Sequence, residues 1–144
     1  MTPKDEAGYR IALAEMRLRS AEGSLHAGRW ADAALFARAA IENAAKAVLA
    51  CFQTVPRTHE PAEVLRTALG LPAFPAAADA RARSLLPALD RYGLARHLEL
   101  SYGDERNFVS PEALVSENDG RLAVADARAT VQLAIDVRTL VLGP

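Results

Sequence analysis

The chain has 144 residues, of which 17 are basic and 18 are acidic, and its formal net charge is −1 with a pI near 6.3. This balance excludes the strongly basic surface with which many proteins hold nucleic acid or anionic membranes, so any phosphate binding must be local. The length fits one domain over residues 1–144, and the single cysteine, Cys51, cannot form an internal disulfide. No stretch has the length and apolar character of a membrane span or a secretory signal, so we expect a cytoplasmic protein without a membrane partner.

Two long helices are predicted in the first third of the chain. The first begins with Thr2 as its N-cap, Pro3 and two acids, and it stops at Gly28. The second covers residues 30–53, WADAALFARAAIENAAKAVLACFQ, which contain no glycine or proline and consist mainly of strong helix formers. Its many alanines let neighbouring helices approach closely, which predicts the central helix of a bundle.

The remainder of the chain is also helical in pattern. Residues 59–70, HEPAEVLRTALG, predict a short helix, and from about Ala77 the helical spacing resumes in one helix that Pro87 bends. Residues 103–120 carry loop chemistry that closes on an Asn-Asp-Gly turn signal, and a last helix follows. Because no alternating strand pattern appears, the predicted fold class is all-α, an antiparallel bundle of four to five helices.

The standard signatures of metal and cofactor sites are missing. Residues 59–63, HEPAE, begin like the zinc motif His-Glu-x-x-His, but the second histidine is absent and Pro61 favours a helix start. There is no Gly-rich phosphate loop, no cysteine pair and no Gly-x-Ser-x-Gly elbow. We therefore predict neither a metal nor a cofactor.

Charged residues stand four apart on the central helix, at Arg38, Glu42 and Lys46. At this spacing each side chain reaches the next, in ion pairs worth about 0.2–0.5 kcal/mol apiece. The pattern is typical of a solvated charge ladder. The alternative interpretation places Arg38 and Lys46 at a phosphate.

A polar cluster is predicted in the stretch RYGLARHLELSYGDERNF, which opens with Arg91. On a continuous helix, at about 100° per residue, Asp90 and His97 would share one face, with Arg96 adjacent. Such a set could cleave a phosphodiester without a metal, since histidine can move the proton of a ribose 2′-hydroxyl while arginine steadies the phosphate charge. The alternative is a partly buried histidine paired with Asp90 or Glu105.

Four stretches of the chain occur in a characteristic order and spacing: WADAALFARAAIENAAKAVLA, THEPAEVL, LDRYGLARHLELSYGDERNFVSPEAL and the closing amphipathic helix. Together they resemble the HEPN domains of prokaryotes over most of the chain. The resemblance implies a helical bundle, commonly a homodimer, in a toxin–antitoxin or defence system beside a minimal nucleotidyltransferase. It also implies a metal-independent ribonuclease in active members, whose Arg and His motifs meet at the dimer interface.

The resemblance implies a ribonuclease motif at Arg91 and His97, which have five residues between them. Tyr92 stands where the family usually has a polar residue, and Arg106 and Asn107 begin a second motif that no histidine completes. We therefore favour a non-catalytic module that dimerises and binds a nucleotide, RNA or a minimal nucleotidyltransferase. The alternative is a metal-independent ribonuclease that uses Arg91 and His97.

The functional surface is predicted at the end of the bent helix and in the loop after it. Binding residues tend to gather on loops that a rigid scaffold holds in place, and this loop combines an aromatic side chain with both signs of charge. The candidate catalytic residues are Arg91 and His97, and the candidate binding residues are Arg96, Tyr102, Asp104, Glu105, Arg106, Asn107 and Lys46.

Overall fold

The fold consists of helices joined by short connections. The computed structural model describes residues 2–144. Within that range the chain forms no strand and eight helices: α1 (Pro3–His26), α2 (Trp30–Ala50), α3 (Pro61–Leu69), α4 (Ala76–Arg83), α5 (Leu86–Arg91), α6 (Leu94–Tyr102), α7 (Pro111–Leu114) and α8 (Glu117–Leu142). None of these helices is long and apolar enough to cross a membrane. The predicted all-α class is confirmed, although the chain has more helices than the four to five expected.

Helix α1 begins where the N-terminal signals predict. The Thr2 hydroxyl accepts a hydrogen bond from the backbone N–H of Asp5 at 3.1 Å, and the Asp5 carboxylate accepts one from the backbone N–H of Thr2 at 2.9 Å. This reciprocal capping box satisfies donors that the first turn of a helix leaves free. At the other end Gly28 adopts a φ of +75°, a conformation that costs glycine little, and the chain turns there into α2.

Helix α2 lies at the centre of the bundle and packs against both α1 and α8. Its larger buried side chains, Ile41, Val48 and Leu49, are at most 1% exposed, and burial stabilises the fold by roughly 1.5–3 kcal/mol for each such side chain. Small side chains allow the neighbouring helices to approach closely. Those with no exposed surface are Ala33, Ala34, Ala37, Ala40, Ala44, Ala45 and Ala47. The predicted role of this helix is confirmed.

The region between Ala77 and Gly103 forms three helices rather than the single bent helix predicted. Pro87 lies in the first turn of α5, where its missing N–H does no harm, so it starts a helix instead of bending one. Gly93 leaves the helical conformation with a ψ of −165° and becomes the N-cap of α6. The Glu60 carboxylate accepts a hydrogen bond from the backbone N–H of Leu94 at 2.9 Å, which ties the start of α6 to the start of α3.

The predicted loop over residues 103–120 is interrupted by α7 and ends earlier than expected, because α8 begins at Glu117. The Ser116 hydroxyl accepts a hydrogen bond from the Asp119 N–H at 3.1 Å, and the Asp119 carboxylate accepts one from the Ser116 N–H at 2.9 Å. The Asn-Asp-Gly sequence therefore lies in the first turn of a helix. A capping box outweighs the turn tendency of those three residues.

Gly120 has a packing role at the contact between α8 and α2. A Cβ atom at this position would lie 3.2 Å from the carbonyl oxygen of Trp30 and 3.3 Å from its Cα atom. These are backbone atoms, which cannot move aside as a flexible side chain can. Glycine therefore suits this close approach of two helices, because a methyl group would fit only if the helices moved slightly apart.

Candidate ligand site at His59 and His97

Arg38, Glu42 and Lys46 form a buried network, which corrects the prediction of a solvated ladder. Arg38 is 3% exposed and Lys46 is 8% exposed. The Glu42 carboxylate lies between them and accepts hydrogen bonds from Arg38 Nη1 at 2.9 Å and from Lys46 Nζ at 2.8 Å. The predicted pairing at a spacing of four is confirmed. The face is buried because helices from the middle of the chain, α3, α5 and α6, also pack against α2.

Arg38 also fixes two segments of backbone. Its Nε donates to the carbonyl oxygen of Tyr92 at 2.9 Å, and its Nη2 donates to the carbonyl oxygen of His59 at 2.7 Å. The guanidinium group is planar, so three bonds to three different acceptors determine its orientation and theirs. Arg38 thereby positions His59 and the turn that leads into α6.

Glu42 is held in its charged form and reaches His59. Burial alone would raise the pKa of its carboxyl group, but the hydrogen bond from Lys46 and the positive charges of Lys46 and Arg38 outweigh it, and the pKa lies below its usual value. The Nδ1 atom of His59 lies 3.2 Å from Oε1 of Glu42 and 3.3 Å from Oε2. The carboxylate therefore orients the His59 ring, whose side chain remains 68% exposed.

His97 stacks on His59, with ring centroids 5.4 Å apart and an interplanar angle of 17°. Its Nδ1 atom is buried and has no hydrogen-bond partner among residues 2–144. The pKa of His97 is lowered by burial and by the positive charge of Arg38, while Glu42 acts in the opposite direction. Near neutral pH the ring is therefore uncharged, with one nitrogen as a donor and the other as an acceptor.

Two depressions meet at this cluster, and both are lined by Arg38, Glu42 and His59. One, of about 150 Å³, opens toward α3 and α5 and is also lined by acidic and basic side chains, namely Glu60, Glu63, Arg66 and Asp90. The other, of about 310 Å³, is called here the His59–His97 groove. It is lined by Arg17, Leu35, Phe36, Arg38, Ala39, Glu42, Asn43, His59 and His97.

The charges of the two depressions differ in sign. The smaller one has four carboxylates against two guanidinium groups, whereas the groove has two guanidinium groups, one carboxylate and two histidines. Opposite charges attract strongly where surrounding protein limits the screening by water. An anionic ligand is therefore favoured in the groove and disfavoured in the smaller depression.

Arg91 does not line the groove. Its Nη1 atom donates to the carboxylate of Asp126 on α8, and the hydroxyl of Tyr92 donates to the same oxygen at 2.9 Å. Because the chain leaves the helical conformation at Gly93, Arg91 and His97 stand on different helices and meet different neighbours. The two candidate catalytic residues are not brought together within this chain.

The prediction that Asp90 and His97 share one helix face is wrong, because the helix is interrupted at Gly93 and the two residues lie on α5 and α6. Asp90 accepts a hydrogen bond from Arg66 of α3, so it is paired away from the histidine. Glu105, the other acid expected to pair with His97, lies exposed in the turn after α6. The neighbours of His97 come instead from α2 and from the segment before α3.

Three of the candidate binding residues, Tyr102, Asp104 and Glu105, line a different depression. Tyr102 is 61% exposed, and the Asp104 carboxylate accepts hydrogen bonds from the backbone N–H of Asn107 at 3.1 Å and from its Nδ2 at 2.8 Å. Arg96 forms an ion pair with Glu99 at 3.2 Å. Two of the candidates, Glu105 and Arg106, are exposed in the same turn as Asp104. The predicted functional surface is therefore divided between two places.

The HEPAE segment contributes a helix start. Helix α3 begins at Pro61, as the sequence predicts, and Glu60 makes the hydrogen bond to α6 described above. Among the residues that the structure describes, no group of three or more His, Cys, Asp or Glu side chains is arranged to hold a metal ion.

Three ionisable residues of the groove were not predicted as parts of a site, namely Arg17, Glu42 and His59. A signal existed for two of them, because Glu42 and His59 lie in two of the stretches that carry the family resemblance. Their separation in sequence hid their contact, since helical periodicity relates only residues on one element. Arg17 carried no signal, because an arginine on an amphipathic helix is typical of a solvated position.

The fold and the groove define an all-helical protein whose central helix holds a buried Arg-Glu-Lys network beneath a polar cleft. The HEPN domain model matches residues 7–134, and the chain belongs to this family. Its structure is similar to the crystal structure of TT1696 from Thermus thermophilus, with a TM-score of 0.64 and 22% identity over 91% of this chain and 97% of that chain. At this identity the similarity concerns the fold alone. No curated protein matches the chain.

Proposed function

We propose that this HEPN protein is a non-catalytic binding module whose His59–His97 groove receives the phosphate of a nucleotide or of single-stranded RNA. The observation that carries the proposal is the lining of the groove, where Arg17 and Arg38 lie with the stacked rings of His59 and His97. The half-buried His97 also has a buried Nδ1 atom that has no partner in the described chain. Buried polar atoms without partners are uncommon in folded proteins and frequently mark functional sites.

A phosphate in the groove would meet donors from three directions. Arg17 lines the groove from α1, the exposed His59 ring from the segment before α3, and His97 from α6. Hydrogen bonds to a charged group contribute about 1.5–3 kcal/mol each. Because the phosphate would also favour the protonated His97 ring, its affinity is expected to increase as the pH falls.

The apolar part of the groove suits the remainder of a nucleotide. Phe36 and Leu35 line it and pack against the core, while His59 and His97 add two flat rings. Aromatic faces stack on bases of any sequence, at about 1–3 kcal/mol per base. A mononucleotide or a short single strand is therefore a better fit than a duplex, whose bases are not free to stack.

The position of Arg91 favours binding over cleavage. In the ribonuclease alternative, Arg91 and His97 act on one phosphate, yet Arg91 is engaged by Asp126 and the groove is lined without it. The homodimer, the minimal nucleotidyltransferase partner, the toxin–antitoxin or defence setting and the cytoplasmic location stay part of the proposal, as the family resemblance and the sequence imply them.

Calorimetric titration with AMP, ATP and a single-stranded RNA oligonucleotide, in the presence of a chelator, tests this proposal. Arg17→Ala is expected to weaken binding about tenfold, the loss of one charge-assisted hydrogen bond. Arg19→Ala is the matched control, because Arg19 is exposed on the same helix outside the groove and its loss should leave the affinity unchanged. Arg91→Ala should also bind as the wild type does.

Two results would contradict the proposal. The first is a failure of specific binding, seen either as no binding by the wild type at millimolar ligand or as an equal loss of affinity in Arg17→Ala and Arg19→Ala. The second is RNA cleavage by the wild type that both Arg91→Ala and His97→Ala abolish, which would establish the ribonuclease alternative. Identical preparation of all variants is essential, because a contaminating nuclease would cut in every sample.

A further inference from the structure

Exposed apolar side chains are concentrated at α6 and the turn that follows it. Of the nine large apolar side chains that are exposed in the described chain, four lie between residues 94 and 108: Leu94 at 44%, Leu98 at 47%, Tyr102 at 61% and Phe108 at 95%. The first three are spaced by four residues, so they lie along one side of α6. We call these four residues the α6 apolar surface. Concentrated exposed apolar residues of this kind mark interaction sites.

The turn that carries Phe108 is fixed by several bonds. Asp104 and Val109 exchange two backbone hydrogen bonds of 2.8 and 3.0 Å, and the Asp104 carboxylate binds Asn107 twice. Gly103, before the turn, has a φ of +73°, and a Cβ atom there would clash with the carbonyl oxygen of Val109. The turn is therefore a defined element that holds Phe108 in one place.

A phenylalanine at position 108 is unfavourable in free energy for two reasons. Its φ of +54° lies in the left-handed region, which bulky residues rarely adopt, and the side chain is almost fully exposed to water. A glycine or an asparagine would fit the same backbone without either cost. Both costs are understandable if the side chain inserts into another molecule.

A depression that can receive such a side chain lies beside the turn. Its volume is about 550 Å³, and it is lined by Leu98, Glu99, Tyr102, Gly103, Asp104, Glu105 and Leu114. The chain therefore carries a protruding aromatic side chain and a partly apolar depression side by side on one surface.

We propose that the α6 apolar surface is the contact between two copies of this chain, in which Phe108 of each copy inserts into the depression of the other. A two-fold axis requires one patch to be complementary to itself, and a protrusion beside a depression meets this requirement. Glu105 and Arg106, both exposed next to Phe108, have opposite charges, so the same axis can pair Glu105 of one copy with Arg106 of the other.

The available area is consistent with a second copy as the occupant. Tyr102 and Phe108 alone expose roughly 300 Å² if a buried aromatic contributes about 200 Å², against the roughly 800 Å² that each partner contributes to a standard interface. The leucines and the rim of the depression add to this area. The inference rests on the homodimer of the proposed function, and it names the surface that forms it.

Sedimentation of the wild type and of two variants, from micromolar to submillimolar concentration, tests the inference. Phe108→Gly removes the side chain and suits the positive φ, so the variant should fold and unfold at no lower temperature than the wild-type monomer. We expect the wild type to be a dimer and Phe108→Gly to weaken it about 30-fold or more, as the loss of an interface hot spot does. Leu122→Ala is the control, because Leu122 is a leucine on α8 that is 50% exposed and lies outside the α6 apolar surface, so its loss should leave the dimer unchanged.

A second variant, Tyr102→Ala, tests the receiving side and should also weaken the dimer. A wild type that stays monomeric would overturn both the dimer and this surface. A wild-type dimer that Phe108→Gly and Tyr102→Ala leave intact would overturn the surface alone. Nucleotide titration is independent of these results, so a failure of ligand binding together with a Phe108-dependent dimer would contradict the proposed function and leave this inference standing.

Discussion

Glu42 is the single residue on which the buried charge network depends, because it is the carboxylate shared by Arg38 and Lys46. Glu42→Gln would leave two buried cations without a negative partner. Removing one member of a buried ion pair destabilises a protein by about 3–5 kcal/mol, and we expect a loss in this range. Urea unfolding followed by circular dichroism measures it.

The matched control for Glu42→Gln is Glu22→Gln. Glu22 also pairs with an arginine, Arg128 at 3.1 Å, but both side chains are largely exposed, at 40% and 56%. Such pairs contribute about 0–1 kcal/mol. An equal loss of unfolding free energy in the two variants would show that burial does not determine how much the network stabilises the protein.

His97 should make the protein less stable in mild acid. Its pKa lies below the ordinary value of 6.5, so below about pH 6.5 the unfolded chain binds a proton that the folded chain still excludes. The stabilisation is complete above that pH and is lost as the pH falls toward the folded pKa. Thermal unfolding from neutral pH into mild acid should show a smaller loss for His97→Asn than for the wild type.

A control at another histidine shows whether the loss of stability in mild acid is caused by His97. His26 is exposed at the end of α1, and His26→Asn should follow the wild type across the same pH range. Parallel curves for the wild type and His97→Asn would contradict the account of His97. Glu42, whose pKa also lies below its ordinary value of 4.5, acts only in stronger acid.

His97 could be singled out from sequence as a candidate, whereas its surroundings could not be predicted. A rare histidine among arginines and acids is visible in one stretch of chain. Its neighbours Arg38 and His59 come from positions far away in the sequence, and only the packed fold brings them to it. Local spacing favoured Asp90 as the partner of His97, but the helix break at Gly93 places Asp90 on a different helix.

At the scale of helices, boundaries that depend on local signals were predicted best. The capping box of α1 and the proline at the start of α3 are short-range features, and both ends lie where expected. The Asn-Asp-Gly sequence was taken for a turn because its residue types favour turns. Its conformation is decided by Ser116, which caps α8, and by Gly120, whose contact is with Trp30 on another helix.

Two glycine substitutions distinguish a glycine that is needed for close helix packing from one that only lowers helix propensity. Gly23 lies in α1 with nothing within 4 Å of an added Cβ, so Gly23→Ala should stabilise the protein by about 0.8–1 kcal/mol. Gly120→Ala adds the same methyl group against the Trp30 backbone and should destabilise it by about 1–3 kcal/mol, as overpacking does. Chemical unfolding of both variants gives the comparison, and stabilisation by Gly120→Ala would show that the helices can separate without cost.

At the scale of the whole molecule, the fold class followed from composition and periodicity. Long alanine-rich segments without strand patterns predict an all-α bundle, and the described chain forms one. The separation of the proposed groove from the α6 apolar surface could not be predicted, because α6 presents different sides to each. His97 lines the groove while its neighbour Leu98 lines the depression of the α6 apolar surface.

The measurement that tests the central claim most directly is NMR of the histidine rings during titration with AMP. The chain has three histidines, so each ring can be followed separately. The account predicts that the resonances of His59 and His97 shift together along one saturation curve, that the pKa of His97 rises when the ligand is bound, and that His26 stays unchanged. Shifts confined to His26, or none at millimolar ligand, would contradict it.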